Sequence, residues 1–214
     1  RRGRAMRAFI YLGGSILPEN ITEHPRSDDL TIAADSGLLN AQALGERVDI
    51  LLGDFDSLGG EVQLPRDAER LTFPPEKDLT DAQLAIEAAI ARGADEAVII
   101  GGLDGRLDHT LSVLGILEDA YGRGFRALAL SGYNRVRYLV STSTLLPRSG
   151  YRYLSLLAAD KKVRGVSVEG CKYPLHNATL TSRLQFAVSN EIVENCALVS
   201  VRRGAIYLVE SRDR

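Results

Sequence analysis

Val48-Asp49-Ile50-Leu51-Leu52-Gly53-Asp54-Phe55-Asp56-Ser57 is the stretch from which the rest of the chain can be read. Val48 to Leu52 is an apolar run of the length of a buried strand, and Gly53 closes it. In an extended backbone, side chains two apart share a face, so Asp54 and Asp56 converge while Phe55 turns away. Two carboxylates gathered at a strand end suit a hard cation such as Mg²⁺, commonly with phosphate oxygens completing the shell. Gly53 has no Cβ and lets a ligand approach the main chain. An Asx turn after a strand uses the same residue types, so the pattern takes its meaning from its surroundings.

Upstream, Arg7 to Leu12 reads as a strand stopped by Gly13-Gly14. The polar stretch from Ser15 to Asp29, with Pro18 and Pro25, reads as a loop or a loop with a brief helix. Leu30 to Ala34 is a second strand, and Asp35 at its end repeats the logic of Asp54. Leu38 to Leu44 is a short helix closed by Gly45. Downstream, Leu71-Thr72-Phe73 is a small strand before Pro74-Pro75. Lys77-Asp78-Leu79-Thr80-Asp81 opens the clearest helix, with Leu84, Ala85, Ala88 and Ala89 at helical spacing and Gly93 at its end. Asp78 stands where an N-cap belongs, with Asp81 as the acidic partner of a capping box. The same helix start, with Thr80, Asp81 and Lys77 beside it, attracts phosphate.

Glu96 to Ile100 is another buried strand, followed by Gly101-Gly102-Leu103-Asp104-Gly105-Arg106-Leu107-Asp108-His109. Strand, glycine-rich turn and helix can cradle an anion on main-chain N–H groups. The spacing matches neither a Walker A loop nor a dinucleotide fingerprint. Arg106 is well made to fork onto phosphate oxygens. His109 is either a helix-face histidine packed on the sheet or a catalytic group. The helix runs to about Tyr121 with Leu111, Leu114, Gly115 and Leu117 inward, and Arg126 to Leu130 is one more strand.

Strands alternating with helices predict an α/β fold whose N-terminal part is a doubly wound, mostly parallel sheet. Ligands of such sheets bind off the carboxyl ends of the strands. Asp35, Asp54, Asp56 and the loops 77–81 and 101–109 all fall on that edge. From about Asn134 the chain changes to short, often alternating strands: Val136–Val140, Tyr151–Leu157, Val163–Val168, Ala178–Thr181, Phe186–Val188, Ala197–Val201 and Ala205–Val209. That predicts a C-terminal all-β sandwich, dividing the chain into an α/β nucleotide- and metal-binding domain (6–134) and a β-sandwich (135–214).

Composition narrows the class. In 214 residues, 45% are hydrophobic and 25% charged, the balance of an ordinary globular chain. A net charge of -2 carries no footprint for nucleic acid or an anionic membrane, and no apolar run approaches the roughly 20 residues needed to span a bilayer. Cys171 and Cys196 lack metal-ligand spacing and read as buried free thiols of a cytoplasmic protein rather than a disulfide. Arg1–Ala5 is basic without a signal-peptide core, and Met6 reads as a native start.

Gly53-Asp54-Phe55-Asp56-Ser57, Lys77-Asp78-x-Thr80-Asp81 and Gly105-Arg106-x-Asp108-His109 together resemble thiamin pyrophosphokinase. Gly170-x-Lys172-Tyr173-Pro174-Leu175 and Ser189-Asn190-Glu191 extend the resemblance, in order, over nearly the whole chain from Arg7. The resemblance implies a homodimer, with thiamin and ATP as substrates, in which the terminal pyrophosphoryl group of ATP passes to the hydroxyethyl oxygen of thiamin, releasing AMP. It implies Mg²⁺ on Asp54, Asp56 and Asp81, and nucleotide and phosphate contacts from Asp35, Lys77, Asp78, Thr80, Arg106, Asp108 and His109. Tyr173, Ser189 and Asn190 would meet thiamin across the dimer. Ser36-Gly37 replaces the family's common glycine pair, Leu103-Asp104 interrupts its glycine turn, and Tyr173 stands where many animal members carry Trp. Two alternatives remain at this level: another Mg²⁺-dependent nucleotidyl- or sugar-phosphate transferase, and a non-catalytic binding module on the same scaffold.

Overall fold

The computed structural model describes residues 5–53, 63–72 and 79–214. They form two compact units, 1–132 and 133–214.

The first unit is built from β1 (Arg7–Tyr11), β2 (Leu30–Ala34), α1 (Gly37–Ala43), β3 (Ile50–Leu52), β4 (Glu69–Leu71), α2 (Asp81–Ala91), β5 (Glu96–Ile100), α3 (Leu107–Gly122) and β6 (Arg126–Leu130). Its strands are all parallel, in the order β4-β3-β2-β1-β5-β6. Strands β1, β2 and β5 share one burial pattern, a half-buried first residue followed by four buried ones. Both faces are covered, which is why these strands are continuous apolar runs without alternation. One face gathers Phe9, Tyr11, Ala33, Leu51, Val98 and Ile100 with Leu38 and Ala41 of α1. Helix α2 packs on β1 and β2, and α3 on β6.

The chain starts in the middle of this sheet, at β1, lays β2 to β4 to one side, and then returns to place β5 on the other. The chain therefore proceeds from β1 and from β5 to neighbouring strands on opposite sides, the arrangement that makes the ligand crevice of doubly wound sheets.

The second unit is entirely β: β7 (Asn134–Val140), β8 (Ser143–Pro147), β9 (Tyr153–Ala158), β10 (Lys162–Glu169), β11 (Leu175–Thr181), β12 (Cys196–Arg203) and β13 (Ala205–Ser211). Within it, β7-β13-β9 and β11-β10-β12-β8 are two antiparallel sheets. Their inner faces meet in one core that includes Leu154, Leu156, Val163, Val166, Val168, Val199, Ile206 and Leu208. Strand β9 shows the alternation expected of a sandwich, half-buried and buried residues in turn.

Several local expectations change. Helix α2 is capped by Thr80, in a reciprocal box with Gln83, so Asp81 is its first residue and not the box partner of an Asp78 cap. The threonine pattern Thr80-x-x-Gln83 is the better box, because a Gln at the third position reaches back to the cap N–H. Helix α3 buries Val113, Ile116, Leu117 and Ala120, while Leu111 is 58% exposed and Gly115 is exposed. The buried residues share a stripe three and four apart; of the expected set Leu117 lies on it and Leu114 is half-buried beside it, while Leu111 and Gly115 fall off it. The small strand runs over Glu69–Leu71, sharing Leu71 with the expected Leu71–Phe73, of which Phe73 lies outside the described residues. Phe186–Val188 is not a strand, and Ser143–Pro147 is one.

Candidate active site

A cleft of about 520 Å³ lies at the carboxyl ends of β1 and β2, against the start of α2 and the β5–α3 loop. It occupies the crevice that the strand order opens. Asp35, Thr80, Asp81, Arg106 and His109 of the expected site line it. Asp54, Asp56, Lys77 and Asp78 lie outside the described residues, so of the three expected metal carboxylates Asp81 alone is described.

Asp35 sits just past β2 with φ +45°, a left-handed conformation uncommon outside Gly, Asn and Asp. Its N–H donates to Leu52 O at 2.9 Å, which locks the residue to the end of β3. A Cβ on Gly53 would stand 1.8 Å from Asp35 Oδ1. Gly53, itself at φ +121°, is therefore where the Asp35 carboxylate lies against the main chain.

At the start of α2 the Gln83 N–H donates to Thr80 Oγ1 at 3.3 Å, and the Thr80 N–H donates to Gln83 Oε1 at 3.0 Å. The cap satisfies two main-chain donors and leaves the exposed Asp81 carboxylate at the cleft wall. Across the cleft, Arg106 precedes α3 and forks onto Asp108, Nη2 to Oδ2 at 2.6 Å and Nε to Oδ1 at 3.1 Å. Asp108 also accepts from the His109 N–H at 3.0 Å. The Arg106 hydrogen bond, before any other cause, lowers the Asp108 pKa, and Asp108 in turn raises that of Arg106. Both side chains are exposed. The arginine expected on phosphate thus holds a carboxylate in the same fork geometry, one that a phosphate group can take over. His109 is exposed at the cleft, not packed against the sheet.

Sequence reasoning passed over Gly13, Gly14, Ser36 and Asp104, which also line the cleft. Asp104 accepts from the hydroxyl of Ser131, a residue with no exposed surface. The signal for the glycine pair was present: Gly13-Gly14 follows an apolar strand just as Gly101-Gly102 does. It read only as a strand stop because strand order, not local pattern, brings the two turns together.

In the second unit Tyr173 is 59% exposed and Asn190 only 7%. The Asn190 side chain clamps the Tyr173 main chain, accepting from its N–H at 3.0 Å and donating to its carbonyl at 2.7 Å. Its main chain is fastened in turn to Leu154 by a reciprocal pair of 3.0 and 2.8 Å. Ser189 is exposed at φ +57°, and its N–H donates to Ser155 Oγ at 3.0 Å. Lys172 Nζ stands 5.5 Å from the Tyr173 ring centroid. Leu184, Phe186, Val188 and Val193, in the same stretch of chain, are exposed too.

The family model of the thiamin pyrophosphokinase catalytic domain matches residues 23–128, and that of the thiamin pyrophosphokinase vitamin B1 binding domain matches residues 142–206. The chain belongs to the thiamin pyrophosphokinase family. A thiamine pyrophosphokinase of Bacillus subtilis is 25% identical over 210 residues, covering 95% of this chain and 98% of its own. The crystal structure of a Bacillus subtilis thiamine pyrophosphokinase superposes with a TM-score of 0.86 at 23% identity, covering 97% of this chain and all of that one. That of a Geobacillus thermodenitrificans thiamin pyrophosphokinase gives 0.82 at 25% identity, with 97% and 98% covered. As a thiamin pyrophosphokinase family member the chain is an enzyme, a transferase of the kinase type, and the family's reaction passes pyrophosphate from ATP to thiamin.

Among the described residues no three His, Cys, Asp or Glu side chains gather as a metal site, and none of the helices is long and apolar enough to cross a membrane. Cys171 and Cys196 are unpaired; Cys171 is buried and Cys196 half-buried.

Proposed function

We propose that this family member binds ATP in the first-unit cleft and transfers its terminal pyrophosphoryl group to thiamin held by Tyr173, Ser189 and Asn190 across a homodimer. The observation that carries the proposal is the meeting of Asp35, the Thr80–Asp81 helix start and Arg106, itself forked onto Asp108, around one cleft at the sheet's switch point.

Transfer of a phosphoryl group asks for in-line positioning and neutralised oxygens more than for covalent chemistry by the protein. Arg106, already in fork geometry on Asp108, is suited to exchange that carboxylate for phosphate oxygens and to stabilise charge on the transferred group or on leaving AMP. Lys77 and Asp78, which precede Thr80 in the sequence, are proposed to serve the same phosphate groups. Asp35 and Asp108 are the carboxylates proposed to take up the hydroxyl proton. The hard oxygen donors Asp54, Asp56 and Asp81 fit Mg²⁺, which would supply charge neutralisation between the phosphates and the incoming hydroxyl. The Asp81 carboxylate, exposed at the cleft wall, supports this assignment.

In the second unit Asn190 is proposed to act by presenting Tyr173, whose exposed ring is suited to stack on a cationic heteroaromatic. Exposed Leu184, Phe186, Val188 and Val193 beside it support a covered face, and hence the homodimer. The unpaired cysteines and ordinary charge balance support a cytoplasmic setting.

The test is product identity. Protein incubated with ATP, Mg²⁺ and thiamin is expected to yield AMP and thiamin diphosphate by mass spectrometry, and chelation of the metal is expected to stop both. ADP or free pyrophosphate in their place would favour a different phosphate transferase.

A further inference from the structure

The loop leaving β1, Leu12-Gly13-Gly14-Ser15, has its first three carbonyls tied back. The side-chain amide of Asn40, on α1, donates to Leu12 O at 2.7 Å and to Gly14 O at 3.0 Å. Gly13 O accepts from the Gly102 N–H at 2.8 Å. Two carbonyl acceptors require the nitrogen end of the Asn40 amide, and both of its hydrogens are used. On the donor side, the Leu12 N–H bonds Ile100 O at 2.8 Å and the Ser15 N–H bonds Asp104 O at 3.1 Å. The N–H groups of Gly13 and Gly14 between them have no acceptor among the described residues. Both glycines line the cleft.

The loop is also closely fitted. A Cβ on Gly13 would stand 2.1 Å from Ser36 Oγ, and one on Gly14, at φ +97°, would stand 2.6 Å from Asp104 O. Two glycines in sequence rotate easily about their peptide bonds, so nothing in the residues themselves decides which end of each peptide meets the cleft. Asn40 supplies that decision for the Leu12–Gly13 peptide, and the Gly102 N–H supplies it for the Gly13–Gly14 peptide. With the Leu12 carbonyl fastened to α1 and the Gly13 carbonyl to Gly102, two successive N–H groups are left over at the cleft wall, an arrangement that takes an anion.

We infer that Asn40 is a positioning residue, which, with the Gly102 N–H behind the next peptide, makes the Gly13 and Gly14 amides a donor pair for a phosphate group of the nucleotide. The inference rests on the proposed binding of ATP in this cleft. Without the Asn40 amide the Leu12–Gly13 peptide is free to turn its carbonyl toward the phosphate and repel it.

The test separates phosphate recognition from folding and from turnover. Calorimetry without thiamin compares ATP with adenosine on wild type, Asn40→Ala and the isosteric Asn40→Asp. ATP affinity is expected to fall by at least about tenfold in both variants, the scale of losing one or two hydrogen bonds, while adenosine affinity stays at the wild-type value. Unchanged ATP affinity, or equal losses for ATP and adenosine, would overturn the inference. The wild-type protein gives an independent measurement that needs no variant to fold. The Gly13 and Gly14 amide resonances are expected to shift on titration with ATP and to stay in place with adenosine; resonances indifferent to ATP overturn it as well. A wild type that passes these tests but makes no thiamin diphosphate would leave the Asn40 role standing and overturn the choice of acceptor.

Discussion

Asp35 and Gly53 show how closely one residue can depend on another. The carboxylate occupies the space where Gly53 lacks a Cβ, and both residues have positive φ. Gly53→Ala is expected to destabilise the fold by about 1–3 kcal/mol through strain at a left-handed position and to push Asp35 off its place. Thermal melting together with ATP affinity checks both effects; a variant that melts and binds like wild type would show the contact to be dispensable. Asp54→Asn tests the metal assignment. Turnover is expected to fall by at least about two orders of magnitude, the scale of one preorganised charge interaction, with the melting temperature unchanged. A folded Asp54→Asn protein with near-normal turnover would remove Asp54 from the metal site. Residue types alone were enough to single out Asp35 and Arg106. That Arg106 forks onto Asp108, two residues on, and that Asn190 spends its amide on Tyr173, were not legible, because each depends on a main-chain geometry the residue type leaves open.

Among the elements, α2 and α3 present their N-terminal ends to the cleft. The Thr80–Gln83 box terminates α2, and Thr80→Ala is expected to lower stability by about 1 kcal/mol. Because the cap also holds Asp81 at the cleft wall, the same substitution is expected to weaken Mg²⁺-ATP binding, measurable as a raised KM for ATP with the KM for thiamin unchanged. Equal changes in both constants would mean that the cap acts on the fold alone. The existence of both helices was plain from apolar spacing and from Gly93, but their exact faces were not. Leu111 and Val113 are equally apolar, and only the sheet beneath α3 decides that Val113 is buried and Leu111 exposed.

At the scale of the molecule, each unit carries, among the described residues, one buried carboxylate held by arginines. Asp29 in the first unit accepts from Arg7 and Arg26, and Glu210 in the second accepts from Arg135 and Arg137. Burial acts to raise the pKa of each, but the arginine hydrogen bonds and charges outweigh it and hold both below their usual values, Asp29 far below. A carboxylate whose pKa is depressed by folding contributes its stability above the unfolded value, near 4, and loses it as pH falls through the folded one. Unfolding free energy is therefore expected to drop on acidification below about pH 4, with a smaller drop in Asp29→Asn and Glu210→Gln. Truncating either carboxylate to alanine removes the acceptor that two arginines share, at a cost of about 1.5–3 kcal/mol, the scale of a hydrogen bond to a charged group. Denaturant titration at neutral and acid pH checks both; variants with the wild-type pH slope would mean that other groups set the acid limit.

The sequence by itself was enough for most of the buried strands, for the change from α/β to antiparallel β from about Asn134, and for setting Asp35 at the end of a strand. These are matters of periodicity, turn residues and apolar run length, all local. Only the tertiary structure decided that β5 returns beside β1, and that decision turns two glycine stops into the walls of one cleft and places Asn40 behind them. Strand order is set by how whole faces pack against one another, and residues thirty or ninety positions apart leave no mark of that pairing in the local pattern.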